Sequence, residues 1–173
     1  MRHDGPGVLL TGGTGFLGGE VLARLLERDE QPVYALVRAG SDEEAQARLR
    51  RVVESLLGGA EGWSRRAIAV AGDITSDGLG MSGSRRNWLA ERVERIVHCA
   101  ASVSFTLDLA ESRAINVEGT RRVIELGELC TRRCRAGAGA KRLRTGRSAS
   151  HPPGSQALNS SLSEPCYHSG REA

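Results

Sequence analysis

The chain has 173 residues, of which 39% are hydrophobic, and its formal net charge at pH 7 is +3. This length is enough for one domain and too short for two of ordinary size. No apolar run is long enough to cross a bilayer, and no apolar stretch follows the first residues as in a signal peptide. We therefore expect a cytoplasmic protein without a membrane segment. The cysteines at positions 99, 130, 134 and 166 lack the paired spacing of a metal site or a disulfide framework, so we expect no bound metal.

Charge and composition divide the chain near residue 130. Residues 131–173 carry eight basic and two acidic side chains, whereas residues 1–130 carry a net charge of −3. The basic segment is rich in serine and proline and has no apolar periodicity, so it predicts a disordered tail. Its arginines suit phosphate contacts, but no aromatic side chains interleave with them for base stacking. We therefore expect no nucleic-acid partner.

The first half of the chain alternates short apolar runs with amphipathic stretches. Residues 7–11 and 32–38 predict two buried strands, and residues 16–28 between them predict a helix. Residues 42–57 predict a second helix, with Ser41 or Asp42 as its N-cap and Gly58 after its last turn. The apolar stripe of the first helix has helical spacing and consists of Leu17, Val21, Leu22, Leu25 and Leu26.

The same alternation continues to residue 129. Residues 68–71 and 95–100 predict a third and a fourth strand, separated by a polar loop over 76–83 and a short helix over 87–92. A long helix is predicted over 109–129. The alternation predicts an α/β fold: an incomplete Rossmann-like, doubly wound parallel sheet of about four strands with right-handed crossovers. We assign residues 7–130 to this domain.

The junction between the first strand and the first helix carries glycines at 12, 15 and 18, a spacing typical of dinucleotide-binding folds. Gly12 allows a sharp turn, Gly15 leaves room for a diphosphate near the backbone, and Gly18 lets the helix pack against the strand. The first N–H groups of the helix and the positive end of its dipole then face the phosphates. Because a second predicted strand follows about 20 residues later, the context favours a dinucleotide site over a ligand-free turn.

Two segments together resemble one known family. The glycine turn reads Leu-Leu-Thr-Gly-Gly-Thr-Gly-Phe-Leu-Gly over residues 9–18, and the second strand ends Leu-Val-Arg over residues 36–38. Both are similar to the extended short-chain dehydrogenase/reductases, in the male-sterility-like branch of thioester reductases and fatty acyl-CoA reductases. The resemblance covers residues 7–143 and implies an NADP-dependent oxidoreductase acting on acyl thioesters or related carbonyls, with a small-molecule substrate. The alternatives are a sugar-nucleotide epimerase or dehydratase of the same fold, or a non-catalytic dinucleotide-binding module.

Arg38 stands at the end of the second predicted strand, where NAD-preferring folds place an acidic residue. A guanidinium there pairs with the 2′-phosphate of NADP, so Arg38 predicts NADP as the cofactor, the alternative being a solvent-exposed arginine. The resemblance implies that Asp73 bonds the adenine amino group and that Ile74 packs on the ring. An aspartate that only forms a turn fits the sequence equally well.

The segment after the fourth strand is the last part of the expected site. The resemblance implies that Ala100, Ala101 and Ser102 border the ribose and nicotinamide and that Asn116 supports the active-site geometry, the alternative being a polar helix residue. His98 lies inside a predicted strand, so we interpret it as a packed residue. The expected cofactor-binding residues are Thr11, Gly12, Gly13, Thr14, Gly15, Phe16, Leu17, Gly18, Arg38, Asp73, Ile74, Ala100, Ala101, Ser102 and Asn116.

No catalytic residue is assigned from the sequence. The family uses a serine or threonine with a Tyr-x-x-x-Lys pair, in which the lysine lowers the pKa of the proton-transferring tyrosine. Tyr167 is followed four residues later by Arg171, which stays charged, and Tyr34 lies in a predicted strand. Because pattern, charge balance and resemblance all break off near residue 143, we expect a truncated or frameshifted reading frame and little turnover by this chain alone.

The break has a consequence for the sheet. In the usual strand order, the fourth strand lies between the first and the fifth. Without a fifth strand, residues 96–99 would form an apolar open edge, and such edges pair with other chains. We therefore expect oligomers or aggregation through this edge.

Overall fold

The computed structural model describes residues 6–58, 62–63, 65–104 and 106–136. Its strands are β1 (Gly7–Thr11), β2 (Val33–Val37), β3 (Ala67–Ala71) and β4 (Val93–His98). The helices are α1 (Phe16–Arg28), α2 (Asp42–Leu57), α3 (Gly83–Ala90), α4 (Leu109–Arg113) and α5 (Gly119–Ala136), with a 3₁₀ turn at Asp77–Gly80 and a π-helical segment at Ala114–Glu118. Within the described residues, no helix combines the length and apolar composition needed to cross a bilayer.

The four strands form one parallel sheet in the order β3-β2-β1-β4. This order places β1 and β2 in the middle, and both strands are buried along their whole length. Such continuous apolar burial is expected of parallel strands that helices cover on both faces. The predicted Rossmann-like α/β fold is confirmed over the described residues.

Each face of the sheet has its own apolar core. One core joins Leu10 of β1 to Leu22 of α1 and Leu49 of α2. The other joins Leu9 to Leu89 of α3 and Val123 of α5. Because neighbouring residues of β1 point to opposite faces, a single strand anchors both layers.

The first turn of α1 differs from the sequence prediction. Leu17 is 64% exposed and Phe16 is fully exposed, so the buried stripe of α1 begins only at Val21, which packs against the core in part. Leu17 belongs to neither apolar core, because its side chain points to solvent from the first turn of α1. Placing Leu17 in the core stripe was therefore wrong.

The loop predicted over residues 76–83 contains a left-handed turn. Leu79 has a φ of +62° between Gly78 at +60° and Gly80 at +69°. This conformation costs a residue with a Cβ about 1–2 kcal/mol, and burial of the Leu79 side chain in the core offsets it. The following helix begins at Gly83 rather than at residue 87, because Ser82 caps it by accepting a hydrogen bond from Arg85 N at 3.2 Å.

The long helix predicted over residues 109–129 is composite. It begins as α4, passes through the π-helical segment and continues as α5. Asp108 caps its start by accepting a hydrogen bond from Glu111 N at 2.8 Å. Its helical backbone extends to Ala136, so residues 131–136 of the predicted tail are helical, and the rest of that tail lies outside the described residues.

Side chains of α2 cover the outer edge of β3. The Gln46 amide donates from Nε2 to Ala67 O at 3.1 Å and accepts at Oε1 from Ala69 N at 2.9 Å. Asp42 Oδ1 accepts from Ala71 N at 2.9 Å. Of the two predicted N-cap candidates, Ser41 is the N-cap of α2 and accepts from Glu44 N at 3.3 Å. Asp42 instead hydrogen-bonds the edge of β3.

Candidate functional site

The glycine turn leaves no room for side chains at two of its positions. Gly12 has a φ of +73°, and a Cβ there would lie 2.6 Å from Ala100 N. A Cβ on Gly18 would lie 2.0 Å from Gly12 O, so this glycine lets α1 approach the end of β1. A Cβ on Gly15 would meet only Gly12 O, at 3.3 Å, and otherwise open space. The turn is thus tightly packed against neighbouring backbone at Gly12 and Gly18, whereas the space beside Gly15 is open. A backbone that receives a diphosphate needs such an open side.

The N-terminus of α1 differs from those of the other capped helices. Side-chain oxygens cap α2, α3 and α4. Gly15 caps α1 without any side-chain hydrogen bond, and the first turn of α1 has no acidic residue. Its free N–H groups and the positive end of the helix dipole are therefore available to an anion at the glycine turn.

A cavity of about 410 Å³ opens beside this turn, at the carboxyl ends of the four strands. This is where doubly wound sheets bind their ligands. It is lined by Thr11, Gly12, Thr14, Gly15, Leu36, Arg38, Gly72, Asp73, Ile74, Thr75, Cys99, Ala100, Ala101, Ser102 and Ile115. Ten of the fifteen residues expected from the sequence are in this lining. The five that are not are Gly13, Phe16, Leu17, Gly18 and Asn116.

Arg38 lies at the rim of this cavity, and its exit from β2 is fixed by α2. Arg48 donates to Arg38 O at 2.6 Å and to Glu44 Oε1 at 2.5 Å. The Gly40 N–H, at 2.8 Å from Glu44 Oε2, and then the Arg48 charge hold the pKa of Glu44 below its usual value. Within the part of the chain that the structure describes, the exposed guanidinium of Arg38 makes no ion pair. It is free to meet an anion.

Asp73 forms a turn at the end of β3. Its Oδ1 accepts from Thr75 N at 2.8 Å and from Thr75 Oγ1 at 2.7 Å. This is the turn-forming role that the sequence left open. The turn also places Ile74 and Thr75 in the cavity wall.

Asn116 lies outside the cavity lining and contacts it through the backbone of Ser102. Its Oδ1 accepts from Ser102 N at 2.8 Å, and its Nδ2 donates to Ser102 O at 2.9 Å. Both polar backbone groups of Ser102 are therefore held by one amide. The π-helical segment that contains Asn116 also carries Ile115 into the lining. Asn116 thus positions the segment after β4 and does not itself line the cavity.

A chain of hydrogen bonds runs under the cavity from β1 to α5. Ala100 N donates to Thr11 Oγ1 at 3.3 Å, and Thr11 Oγ1 lies 2.6 Å from His98 Nδ1. On the other side of the ring, His98 Nε2 lies 3.1 Å from Thr120 Oγ1, which donates to Asn116 O at 2.7 Å. Since Thr120 gives its proton to a carbonyl, it accepts from Nε2. In the neutral ring, Nδ1 then carries no proton and accepts from Thr11 Oγ1.

Burial supports the neutral form, because it lowers the pKa of His98 below the usual value. The half-buried ring has both nitrogens engaged by threonine hydroxyls. His98 is therefore a packed structural residue, as the sequence predicted, and it joins β1, β4 and α5.

Five lining residues were not expected from the sequence. Three of them, Leu36, Gly72 and Cys99, lie at or just after the ends of β2, β3 and β4. The rule that ligands bind at the carboxyl ends of strands would have found these three. Thr75 depends on the Asp73 turn and Ile115 on the π-helical segment, and neither has a periodic signal in the sequence.

The geometry fits a nicotinamide dinucleotide. The open glycine turn and the uncapped helix end suit a diphosphate, and small residues after β4 leave the backbone accessible. When bound, such a cofactor supplies a hydride. Within the described residues, no group of three or more His, Cys, Asp or Glu is placed to hold a metal ion.

Comparison with protein families gives an independent result. The family model described as male sterility protein, an NAD-binding family, matches residues 10–136. This range contains the glycine turn, the carboxyl ends of all four strands and the helix that carries Asn116. It ends at the last residue of α5.

Three curated relatives show the same similarity. A linear gramicidin synthase from Brevibacillus parabrevis is 40% identical over 68% of this chain, which corresponds to 2% of that protein. The L-2-aminoadipate reductase of Penicillium chrysogenum, in its large subunit, is 38% identical over 73% of this chain and 9% of its own length. Fatty acyl-CoA reductase wat of Drosophila melanogaster is 33% identical over 74% of this chain, which corresponds to 26% of its own length. The chain thus spans about a quarter or less of the length of these relatives.

Two solved structures resemble this chain in fold and sequence. The terminal R domain of the myxalamid PKS-NRPS pathway matches with a TM-score of 0.66 and 37% identity, over 70% of this chain and 31% of that one. The reductase domain of a non-ribosomal peptide synthetase from Mycobacterium tuberculosis matches with a TM-score of 0.60 and 38% identity, over 71% of this chain and 31% of that one. These similarities favour the reductase branch over the epimerase alternative. The chain belongs to the male sterility protein family of NAD(P)-binding domains, in its thioester and acyl-CoA reductase type.

Proposed function

We propose that this chain is the NADP-binding part of a reductase that acts on acyl thioesters or related carbonyls. The preference for NADP rests on one observation: Arg38 lines the same cavity as the glycine turn and has no ion pair within the described residues. A guanidinium at the end of β2 offers charge-assisted hydrogen bonds to a 2′-phosphate, which NAD lacks. The glycine turn holds the diphosphate that both cofactors share.

Each wall of the cavity has a separate task in this proposal. The first turn of α1 binds the diphosphate, and Arg38 selects the phosphorylated ribose. Ile74 packs on the adenine, and Asp73 has one carboxylate oxygen left for the adenine amino group, since Oδ1 is held by Thr75. Asn116 keeps the segment after β4 in place beside the nicotinamide end.

The decisive test compares NADPH and NADH binding to the 173-residue protein by calorimetry. A hydrogen bond to a charged group contributes about 1.5–3 kcal/mol, so Arg38→Ala should weaken NADPH binding about 10- to 100-fold and leave NADH binding unchanged. Arg51→Ala is the matched control, because Arg51 is exposed on α2 and lies outside the cavity. Equal affinity for the two cofactors, unaltered in Arg38→Ala, would contradict the preference for NADP.

Turnover by this chain is tested separately from cofactor binding. The thioester proposal rests on the relatives named as fatty acyl-CoA reductase and aminoadipate reductase. The sequence has no Tyr-x-x-x-Lys pair, so this chain should bind NADPH without oxidising it when an acyl-CoA is added. Rapid NADPH oxidation under those conditions would show that the chain holds a complete catalytic set. A non-catalytic binding module shares this outcome and would differ by having no partner that restores turnover.

A further inference from the structure

A second cavity, of about 300 Å³, lies between α3 and α5. Its walls come from these two helices and from the 3₁₀ turn that precedes α3. Leu79, Leu126 and Leu129 make part of the wall apolar, and side chains such as Arg86 and Asn87 make the rest polar. Within the described residues, this lining shares no residue with the cavity beside the glycine turn. The two cavities are therefore separate sites.

Arg86 is the polar side chain of this second cavity that lacks a partner. Its Nε is buried without a hydrogen-bond partner, and the guanidinium makes no ion pair within the ranges that the structure describes. Gly78, with a φ of +60°, lies against it, since a Cβ there would be 3.1 Å from both Cζ and Nε. The turn thus covers Nε, and Nη1 and Nη2 are the donors that a ligand can reach. A half-buried guanidinium without an anion loses hydration and gains no compensating bond.

The other charged side chains of the lining already have partners. Arg122 donates from Nη2 to Asp77 Oδ1 at 3.0 Å. The carboxylate of Glu125 pairs with Arg121. The charge of Arg86 is therefore left to be balanced, which calls for a ligand with a single negative charge. A ligand with two charges would also be repelled by the carboxylate of Glu125.

We propose that this cavity binds an aliphatic monocarboxylate. The carboxylate accepts two hydrogen bonds from Nη1 and Nη2 of Arg86, because the planar fork of a guanidinium matches the two oxygens of a carboxylate. The aliphatic chain lies along Leu79, Leu126 and Leu129. A volume of about 300 Å³ is at the lower end of the range for small-molecule sites, so the chain is short. The proposal is independent of the proposed function, because it uses no residue of the cavity beside the glycine turn.

Titration of the unmodified 173-residue protein with octanoate, followed by NMR, tests the site. We expect saturable shifts of the backbone amides of Gly78, Leu79 and Arg86, with half-saturation below about 1 mM. Octanamide has the same chain without the charge, so it should bind about 10- to 100-fold more weakly. Acetate keeps the charge without the chain and should also bind more weakly than octanoate.

Four results of this titration would overturn the proposal. Equal binding of octanoate and octanamide would make the cavity an apolar groove without charge recognition. Inorganic phosphate that binds as tightly as octanoate would make it a general anion site. Shifts confined to Gly12 and Gly15 would place octanoate in the cavity beside the glycine turn. Absence of any saturable shift would mean that the cavity does not take this class of ligand.

A pair of variants assigns the charge recognition to one side chain. Arg86→Gln should weaken octanoate binding about 10- to 100-fold and leave octanamide binding unchanged. Arg51→Gln makes the same change of charge on the exposed face of α2, outside both cavities, and should leave the binding of both ligands unchanged. Unaltered octanoate binding in Arg86→Gln would overturn the proposal. If Arg86→Gln does not fold, the comparison of octanoate with octanamide on the unmodified protein decides.

Discussion

The two edges of the sheet differ in whether side chains of the described residues hydrogen-bond their outward-facing backbone groups. At the β3 edge, Gln46 and Asp42 of α2 satisfy Ala67 O, Ala69 N and Ala71 N at 2.9–3.1 Å. These side chains take the place of a neighbouring strand. At the β4 edge, no described side chain bonds the outward-facing backbone of Ile96 or His98.

Among the described residues, β4 is held by its pairing with β1 and by side chains on its faces. His98 is bonded to Thr11 and Thr120, and Arg95 pairs with Asp29 at 3.1 Å. At the β3 edge, the polar side chains of α2 match the spacing of the outward-facing backbone groups, and this match lets the helix close the edge. Alanines at 67, 69 and 71 help at β3, because small side chains let α2 approach the backbone.

The largest effect is expected from opening the closed edge. Gln46→Leu leaves Ala67 O and Ala69 N without their partner, and an unmet backbone group costs about 1–3 kcal/mol. We expect the free energy of unfolding in urea to fall by about 2 kcal/mol, with increased self-association. Gln46→Glu is the matched variant: it still accepts from Ala69 N but places a carboxylate oxygen against Ala67 O, so a loss as large as that of Gln46→Leu would assign the effect to Ala67 O. An unchanged urea midpoint in Gln46→Leu would show that water replaces the amide at this edge.

A smaller effect is expected from loosening the face of β4. Thr120→Val removes the hydroxyl between His98 Nε2 and Asn116 O at almost constant volume. Two part-buried hydrogen bonds are lost, at about 0.5–1.5 kcal/mol each, so we expect the free energy of unfolding to fall by about 1–2 kcal/mol. Faster amide exchange should be confined to β4 and the start of α5, with β3 unaffected. If amide exchange accelerated equally at β3 and β4, the two edge strands would not be anchored independently.

Acidification should weaken β4 selectively. Burial lowers the pKa of folded His98, so the unfolded chain binds its proton more readily as the pH falls below about 6.5. The stabilisation from neutral His98 is present above that pH and is lost as the pH falls through the folded pKa. Amide exchange at β4, corrected for intrinsic rates, should accelerate between pH 7.5 and pH 5 relative to β3, and His98→Gln should abolish this difference. If the pH dependence of amide exchange at β4 persists in His98→Gln, another titratable group causes it.

The smallest effect is expected at the exposed end of the closed edge. Asp42→Asn keeps an oxygen acceptor for Ala71 N but removes the charge that pairs with Arg85. Both side chains are more than a third exposed, and such pairs contribute about 0–1 kcal/mol. We expect a loss of about 0.5 kcal/mol in the free energy of unfolding, decreasing further in 0.5 M salt. A loss as large as that of Gln46→Leu would mean that the charge, and not the acceptor, closes this end.

Sequence periodicity was sufficient for the middle of the fold. Strand β1 and helices α1 and α2 have the predicted bounds, because their apolar patterns end at glycines or capping residues. The start of α3 differs from the prediction because Ser82, which lies in the predicted polar loop, caps the helix. The β3 edge was harder, because Gln46 has the pattern of a solvent-facing residue. Its role depends on how closely α2 approaches β3.

The candidate site was also predictable where it depends on local chain geometry. The glycine turn and Arg38 follow from their spacing to the first two strands. The distinction between lining the cavity and supporting it was not predictable. Asn116 and Ile115 are neighbours in sequence, yet only Ile115 reaches the cavity, because a π-helical turn sets their directions.

That π-helical turn gives the helix one place where a change of chain length can be absorbed. A π turn accommodates one residue more than an α turn, so deleting a single residue within Ala114–Glu118 would convert it to regular α-helix. The later part of the helix would keep its direction, and Val123 and Leu126 would stay in the core. The same deletion at the start of α5 would instead rotate every later side chain by about 100°. An in-frame loss of one codon should therefore be less damaging in the π-helical segment than in α5.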